Sequence, residues 1–214
     1  MRRVTRSTQQ GDTIIEVMFA VAVFAMVAVG SLSIMNQGIA SAQRSLEITL
    51  VRQQMQAQAE ALRYVHAAYV ASYQPGGAPT TGTAGEWQTI KDNYAVGKAS
   101  EFGRIDGALC SALDPSTTKP FVMNARTARV VSGIVEMQPP ADESLPPFAQ
   151  VVYESPTSSI IDKSYGMWVE AVHVVPTDGK TPYVDFHIRA CWNSPGINRP
   201  LTLGTIVRLY DPAV

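Results

Sequence analysis

The sequence predicts an α+β protein in which one long N-terminal helix packs on a C-terminal antiparallel β-sheet head. Three observations predict it: an uninterrupted apolar run near the N-terminus, an amphipathic stretch with helical spacing after it, and a later region where the apolar period falls to about two. The 214 residues are 46% hydrophobic and 16% charged. This composition excludes a disordered chain, which combines low hydrophobicity with high net charge.

The first element is an apolar segment long enough to cross a membrane. Every residue from 17 to 29 is apolar, and Glu16 is the only charge between positions 13 and 35. As a helix, such a segment reaches roughly 34 Å, more than a hydrocarbon core of about 30 Å. Arg2, Arg3 and Arg6 precede it. The positive-inside rule therefore predicts a single-pass protein of the cytoplasmic membrane, with its N-terminus in the cytoplasm.

Three interpretations of this segment differ in where the precursor is cut. A plain membrane anchor is not cut at all. A Sec-type signal peptide is cut at the small residues Ala40-Ser41-Ala42, so that the mature chain starts at Gln43. The third interpretation depends on Gly11 and on Glu16, the fifth residue after it.

The segment Gly11-Asp12-Thr13-Ile14-Ile15-Glu16-Val17 resembles the class III signal of type IV prepilins and pseudopilins. The resemblance implies that a prepilin peptidase cuts between Gly11 and Asp12, and that N-methylation falls on Asp12. It also implies that Glu16 pairs with the free Asp12 amine of a neighbouring subunit during assembly. Asp12 stands where most members have Phe, which favours a minor subunit. The implied partners are the peptidase, other pilin subunits and an inner-membrane assembly platform, and the implied destination is an extracellular or periplasmic filament.

The stretch after the apolar segment predicts that the helix continues. No proline or glycine occurs between positions 43 and 73. Apolar residues recur there at steps of three or four: Ile48, Val51, Met55, Ala59, Leu62, Val65, Tyr69 and Tyr73. The polar face is expected to hold Arg44, Glu47, Arg52, Gln56, Glu60 and Arg63. We therefore expect one helix over residues 13–73, whereas a signal peptide predicts a break around Ala42.

The rest of the chain predicts a head made mostly of strands. Residues 75–85 are rich in Pro, Gly and Thr and predict a loop, and residues 86–94 predict a short helix. Strands are expected at residues 129–137, 149–153, 166–174, 184–192 and 202–209, as an antiparallel meander of four or five strands. The predicted organisation is a leader (1–11), an apolar half-helix (12–42), an amphipathic half-helix (43–73) and a head (74–214). Within the head, a connecting region extends to about residue 128 and the sheet spans 129–214.

Cys110 and Cys191 both fall outside the predicted span. An even cysteine count in an oxidising compartment indicates a disulfide, and two buried free thiols are the alternative. The bridge would tie an irregular segment to the penultimate strand, much as pilins commonly tie down their C-terminal region.

The sequence gives no support for an enzyme, a metal site or a cofactor. His66, His173 and His187 lack metal-ligand spacing, and no phosphate-binding loop, nucleophile elbow or zinc-protease motif occurs. Lys119, Arg126 and Arg129 form a short stretch without acids. However, removing the leader leaves 14 basic against 18 acidic side chains, so nucleic acid is not an expected partner.

The function expected from these observations is that of a minor pilin or pseudopilin, a structural subunit of a type IV pilus or of a related secretion filament. The sequence does not distinguish a subunit of a type IV pilus from a subunit of a secretion filament. The alternative is a secreted or membrane-anchored binding or adhesion domain that uses its sheet as the contact surface.

Overall fold

The computed structural model describes residues 14–74, 76–98, 110, 119–138, 140, 145–177, 179–194 and 196–212. It divides into two compact units, Met1–Gln43 and Arg44–Val214. The described elements are α1 (Ile14–Ser72), α2 (Gly82–Asn93), β1 (Ala95–Val96), β2 (Phe121–Asn124), β3 (Arg129–Ser132), β4 (Val135–Glu136), β5 (Gln150–Tyr153), β6 (Ile161–Tyr165), β7 (Met167–Val174), β8 (Tyr183–Trp192) and β9 (Leu201–Tyr210).

The predicted long helix is confirmed as α1, 59 residues without a break. Helix α1 contains no proline. Three hydroxyl side chains of α1 form hydrogen bonds within the helix. Ser31, Thr49 and Ser72 each donate to the carbonyl four residues earlier, at 2.8–2.9 Å. This bond satisfies the hydroxyl without interrupting the helix. The short helix α2 is also confirmed, although it begins at Gly82, four residues before the predicted start.

The main sheet has the strand order β3-β2-β7-β8-β9, and β1 pairs in parallel with β7. The last three strands form the predicted antiparallel meander, with unbroken register from Tyr183↔Tyr210 to Trp192↔Leu201 between β8 and β9. Strands β4, β6 and β5 form a separate three-stranded sheet in that order. The α+β fold class with a largely antiparallel sheet is therefore confirmed.

The single meander starting at residue 129 is wrong in two respects. The predicted strand 129–137 is two strands, because Gly133 has a φ of 74° and turns the chain between β3 in one sheet and β4 in the other. The main sheet also contains two strands before residue 129, namely β1 and β2, and all four residues of β2 are buried. A strand buried on both faces has no period-two alternation to reveal it.

The core lies between the second half of α1 and one face of the main sheet. Val51, Leu62 and Val65 from the helix are fully buried and share one cluster with aromatic and aliphatic side chains of the other elements: Trp87, Ile90, Phe121, Val169, Phe186 and Ile188. Residues 51–69 thus bury the stripe that the sequence predicts. The cluster is the main source of hydrophobic stabilisation of the head.

Polar side chains also join α1 to the strands. Glu47, expected on the solvent face, is buried, and the Trp192 Nε1–H donates to its Oε2 at 3.1 Å. Gln58, also buried, accepts from the Met123 backbone N–H at 2.6 Å and donates to the Met123 carbonyl at 2.8 Å. Gln54 accepts from the Val151 N–H at 3.0 Å. The two glutamines thus satisfy backbone atoms of β2 and β5, whereas Glu47 accepts from a side chain.

A disulfide joins Cys110 to Cys191, which are 81 residues apart in the chain and have a Cα–Cα distance of 5.7 Å. Both cysteines are buried and pack against Trp168 on the sheet face opposite α1. The bridge therefore fixes residue 110 to β8, the penultimate strand.

Candidate functional site

The most distinctive surface of the protein is the first half of α1. We call residues 14–43 the apolar segment. All of its large aliphatic and aromatic side chains are exposed, with exposed fractions of 51–80%: Ile14, Ile15, Val17, Met18, Phe19, Val21, Val23, Phe24, Met26, Val27, Val29, Leu32, Ile34, Met35 and Ile39. Soluble monomers rarely expose contiguous apolar patches larger than a few hundred Å². This surface is therefore suited to apolar surroundings.

The apolar segment is suited to a bilayer. The described residues contain one helix that is long and apolar enough to cross a membrane, and its most apolar window has no residue buried within the protein. Backbone groups in a bilayer must bond within their own segment, as they do in a continuous helix. Ser31 meets the same demand because its hydroxyl donates to the Val27 carbonyl at 2.8 Å. A single-pass membrane association fits these features.

Glu16 lies in the first turn of α1 and is exposed. Its carboxylate forms no ion pair with any residue that the structure describes. A carboxylate at this position is stabilised by the helix dipole and remains open to a cation from outside the chain. The other predicted residues of this end, Gly11 and Asp12, lie outside the described residues.

Small residues leave room along the apolar segment. A methyl group built at Gly30 or at Gly38 meets no described atom within 4 Å beyond the neighbouring residues and backbone of its own helix. The protein's own packing therefore does not require glycine at either position. Close approach of another helix is the usual reason for glycine in an apolar helix.

Each of the three histidines of the head has a partner within the protein. The His66 Nε2 donates to the Tyr210 carbonyl at 2.7 Å, and its ring packs on Trp87 with centroids 4.7 Å apart. His173 Nε2 lies 3.5 Å from Asp211 Oδ2. Burial lowers the pKa of His187, and nearby Arg189 lowers it further, while Asp185 acts in the opposite direction.

Asp211 organises a polar cluster that sequence reasoning missed. Its Oδ1 accepts from Trp87 Nε1 and from Lys91 Nζ, each at 3.1 Å. Burial raises the pKa of the neighbouring Tyr69, and the Asp211 carboxylate raises it further. The cluster ties the residue after β9 to α2. Its only sequence signal was an acid directly after the last predicted strand, which does not identify a partner.

Of the three basic residues weighed for nucleic-acid contact, Arg126 is engaged by the protein itself. Its guanidinium stacks 3.8 Å from the centre of the Tyr153 ring and donates to the Ser158 carbonyl. Lys119 and Arg129 are exposed. Within the described ranges, no group of three or more His, Cys, Asp or Glu side chains is placed to hold a metal ion.

Comparison with protein-family models, with curated proteins and with solved structures finds no match for this chain. The long apolar helix, the C-terminal sheet and the disulfide are compatible with a pilin-like fold.

Proposed function

We propose that the protein is a minor pilin or pseudopilin, a subunit that inserts in the membrane as a precursor and then assembles into a filament through its N-terminal helix. One observation carries the proposal. The exposed apolar segment continues, within a single helix, into the stripe that forms the core of the head. This organisation joins a membrane-compatible segment to the folded domain through one helix.

The apolar segment supplies the basis for moving between bilayer and filament. Its exposed side chains pack equally well against acyl chains or against the helices of neighbouring subunits, because both environments are apolar. Extraction into a filament then costs little hydrophobic free energy. Other pilin subunits and an inner-membrane assembly platform are the partners that this exchange requires.

Glu16 supplies register for assembly. Cleavage after Gly11 by a prepilin peptidase frees the Asp12 amine, and the carboxylate of Glu16 pairs with that amine on the neighbouring subunit. An unpaired charge in an apolar packed core costs several kcal/mol, so a subunit is stable only where the pair forms. The exposure of Glu16, and the absence of a described partner for it within the chain, support this role.

The proposal is tested by substituting Glu16 in the cells that make the filament. We expect Glu16→Ala and Glu16→Gln to leave the protein in the membrane fraction but to deplete it at least about tenfold from sheared filaments, since an unpaired buried amine is costly. Glu16→Asp, which keeps the charge, should retain part of the recovery. The matched control is Glu60→Ala, an exposed acid on the same helix that pairs with Arg63. Equal recovery of Glu16→Ala and Glu60→Ala in filaments would contradict the docking role.

A further inference from the structure

Strand β9 forms a long open edge of the main sheet. It spans ten residues, Leu201–Tyr210, and pairs only with β8 among the described strands. The register between them is unbroken, so no bulge twists the edge away. The strand contains no proline and no lysine. Natural proteins usually protect sheet edges with bulges, prolines, lysines or short strands.

The pairing shows which backbone groups of β9 face outward. The Asp211 N–H donates to the Pro182 carbonyl at 2.9 Å, one step beyond the pair Tyr183↔Tyr210. Because hydrogen-bonded pairs alternate in an antiparallel ladder, the even-numbered residues of β9 direct their N–H and C=O groups away from β8. The bond from His66 to the Tyr210 carbonyl agrees with this assignment.

Elsewhere in the head, helix side chains cap backbone groups that face away from the paired strand. On β2 the Met123 N–H and C=O both bond to Gln58. On β3 the Val130 N–H donates to Glu86 Oε2 at 3.1 Å, and on β5 the Val151 N–H donates to Gln54. Within the described residues, the corresponding cap on β9 is the single bond from His66 at its last residue. The outward groups from Thr202 to Arg208 form no hydrogen bond with any residue that the structure describes.

Two side-chain features keep this edge accessible. Arg208, its one charged residue, lies across β8 in a two-pronged ion pair with Asp185, at 2.7 Å for both contacts. Gly204 has no packing reason to be glycine, since a methyl group there would come no closer than 4.0 Å to the Ile188 carbonyl. A glycine inside a strand commonly marks close approach of another backbone.

A groove of about 390 Å³ lies beside the same edge, between α1 and β9. Its floor is partly apolar, with Met55 from the helix and Val207 from the strand, and its helix side carries Arg52 and Arg63. Arg63 pairs with Glu60, whereas Arg52 forms no ion pair with a described residue. Side chains of a strand added to β9 alternate, so every second one would enter this groove.

We propose that β9 binds an extended segment of a partner protein by strand addition, and that the segment places apolar and carboxylate side chains in the groove beside Arg52. Backbone bonds to the even-numbered residues give affinity, and the groove gives selectivity. A second copy of this chain fits less well. Joining two β9 strands about a two-fold axis keeps both α1 helices on one sheet face, which sets the arginines of one copy beside those of the other.

The test uses the full chain in detergent micelles and a fluorescent peptide, Thr-Glu-Thr-Val-Thr-Val-Thr-Glu-Thr, with binding followed by anisotropy. A second peptide has Lys in place of both Glu residues. We expect the Glu peptide to bind at least about tenfold tighter than the Lys peptide, and Arg52→Glu to reverse that order, because like charges in the groove repel. Amide exchange at Gly204, Ile206 and Arg208 should slow when the Glu peptide binds.

The backbone contribution is isolated at Ile206, whose side chain is 61% exposed. Ile206→Pro removes an outward N–H that has no partner among the described residues, and prolines are tolerated on such edges. We expect this variant to lose at least about tenfold in affinity for the Glu peptide, while Ile206→Thr, which keeps the N–H, changes affinity less than about twofold. Circular dichroism establishes that both variants are folded.

Three results would overturn the proposal. The first is no saturable binding of the Glu peptide, and the second is equal binding by the two peptides or by the Pro and Thr variants. The third is a concentration-dependent dimer that Ile206→Pro abolishes, since the occupant would then be a second copy. None of these results bears on Glu16 or on N-terminal processing, so the proposed function is tested separately.

Discussion

The side chain of Gln58 offers the sharpest test of how α1 is fastened to the sheet. In the buried interior, its amide both accepts from the Met123 N–H and donates to the Met123 carbonyl. Met123 is fully buried, and β2 pairs with β7 only at Phe121↔Val169, so no neighbouring strand can replace Gln58. Gln58→Ala therefore leaves two backbone groups without partners.

The magnitude follows from those two groups. Each buried group left unsatisfied costs about 1–3 kcal/mol, so Gln58→Ala should lower the free energy of unfolding by about 2–6 kcal/mol. The matched control is Gln56→Ala, the same substitution at an exposed position of the same helix, which should change it by less than about 0.5 kcal/mol. Gln58→Glu keeps an acceptor for the N–H but sets a carboxylate against the carbonyl, so we expect it to destabilise at least as much as Ala.

The assay is urea unfolding of the full chain in micelles, followed by tryptophan fluorescence. Trp87, Trp168 and Trp192 all lie in the head, so the signal reports its unfolding and not that of the apolar segment. If Gln58→Ala and Gln56→Ala shift the unfolding midpoint equally, the reasoning that the Met123 pair anchors α1 is refuted.

Three further predictions concern the head. Replacing Cys110 and Cys191 together by Ala opens a loop whose ends are 81 positions apart in the chain, and should lower the free energy of unfolding by about 4.5 kcal/mol in the chain-entropy model; an unchanged urea midpoint would contradict this. His187 has a pKa below its ordinary value of 6.5 in the fold, so the unfolded chain binds more protons than the folded chain as the pH falls through that value. Stability should therefore fall as the pH falls. NMR titration should show this shift, and His187→Gln should flatten the pH dependence, whereas an equally steep profile would exclude His187 as its source. Gly166→Ala should cost more than about 2 kcal/mol in thermal unfolding, because φ is +59° and the added methyl meets the Cys191 carbonyl; wild-type stability of this variant would show that the local backbone is not constrained.

The long helix could be predicted because its signals are local. The lack of a breaker from residue 43 to 73 and the spacing of Val51, Met55 and Leu62 depend only on neighbouring positions. Strands β7, β8 and β9 could be predicted for the same reason, from runs of β-branched residues bounded by turn residues.

The errors of the sequence prediction concern residues whose partners are distant in the chain. Glu47 lies four residues before Val51, on the buried side of the helix, but its polarity placed it on the solvent face. Trp192, which donates to its carboxylate inside the protein, lies 145 residues later in the chain. Gln54 and Gln58 are similar, since the strands they cap are 97 and 65 residues away.

The candidate functional features also differ in whether their signal is local in the sequence. Glu16 and the apolar segment were evident from the sequence, because charge and apolar length are local properties. The open edge of β9 was not, since no local pattern tells which strand lies at the end of a sheet or which edges receive a cap. Strand order is set by the tertiary fold.

The central claim is that the chain is a prepilin-like precursor processed at its N-terminus for filament assembly. The most direct measurement is the N-terminus of the native protein, from intact mass and N-terminal peptide sequencing of membrane and sheared fractions. The account predicts a chain that starts at Asp12, with or without one added methyl group. A start at Gln43, as after Sec-type cleavage, or an intact Met1, as in a plain anchor, would contradict it.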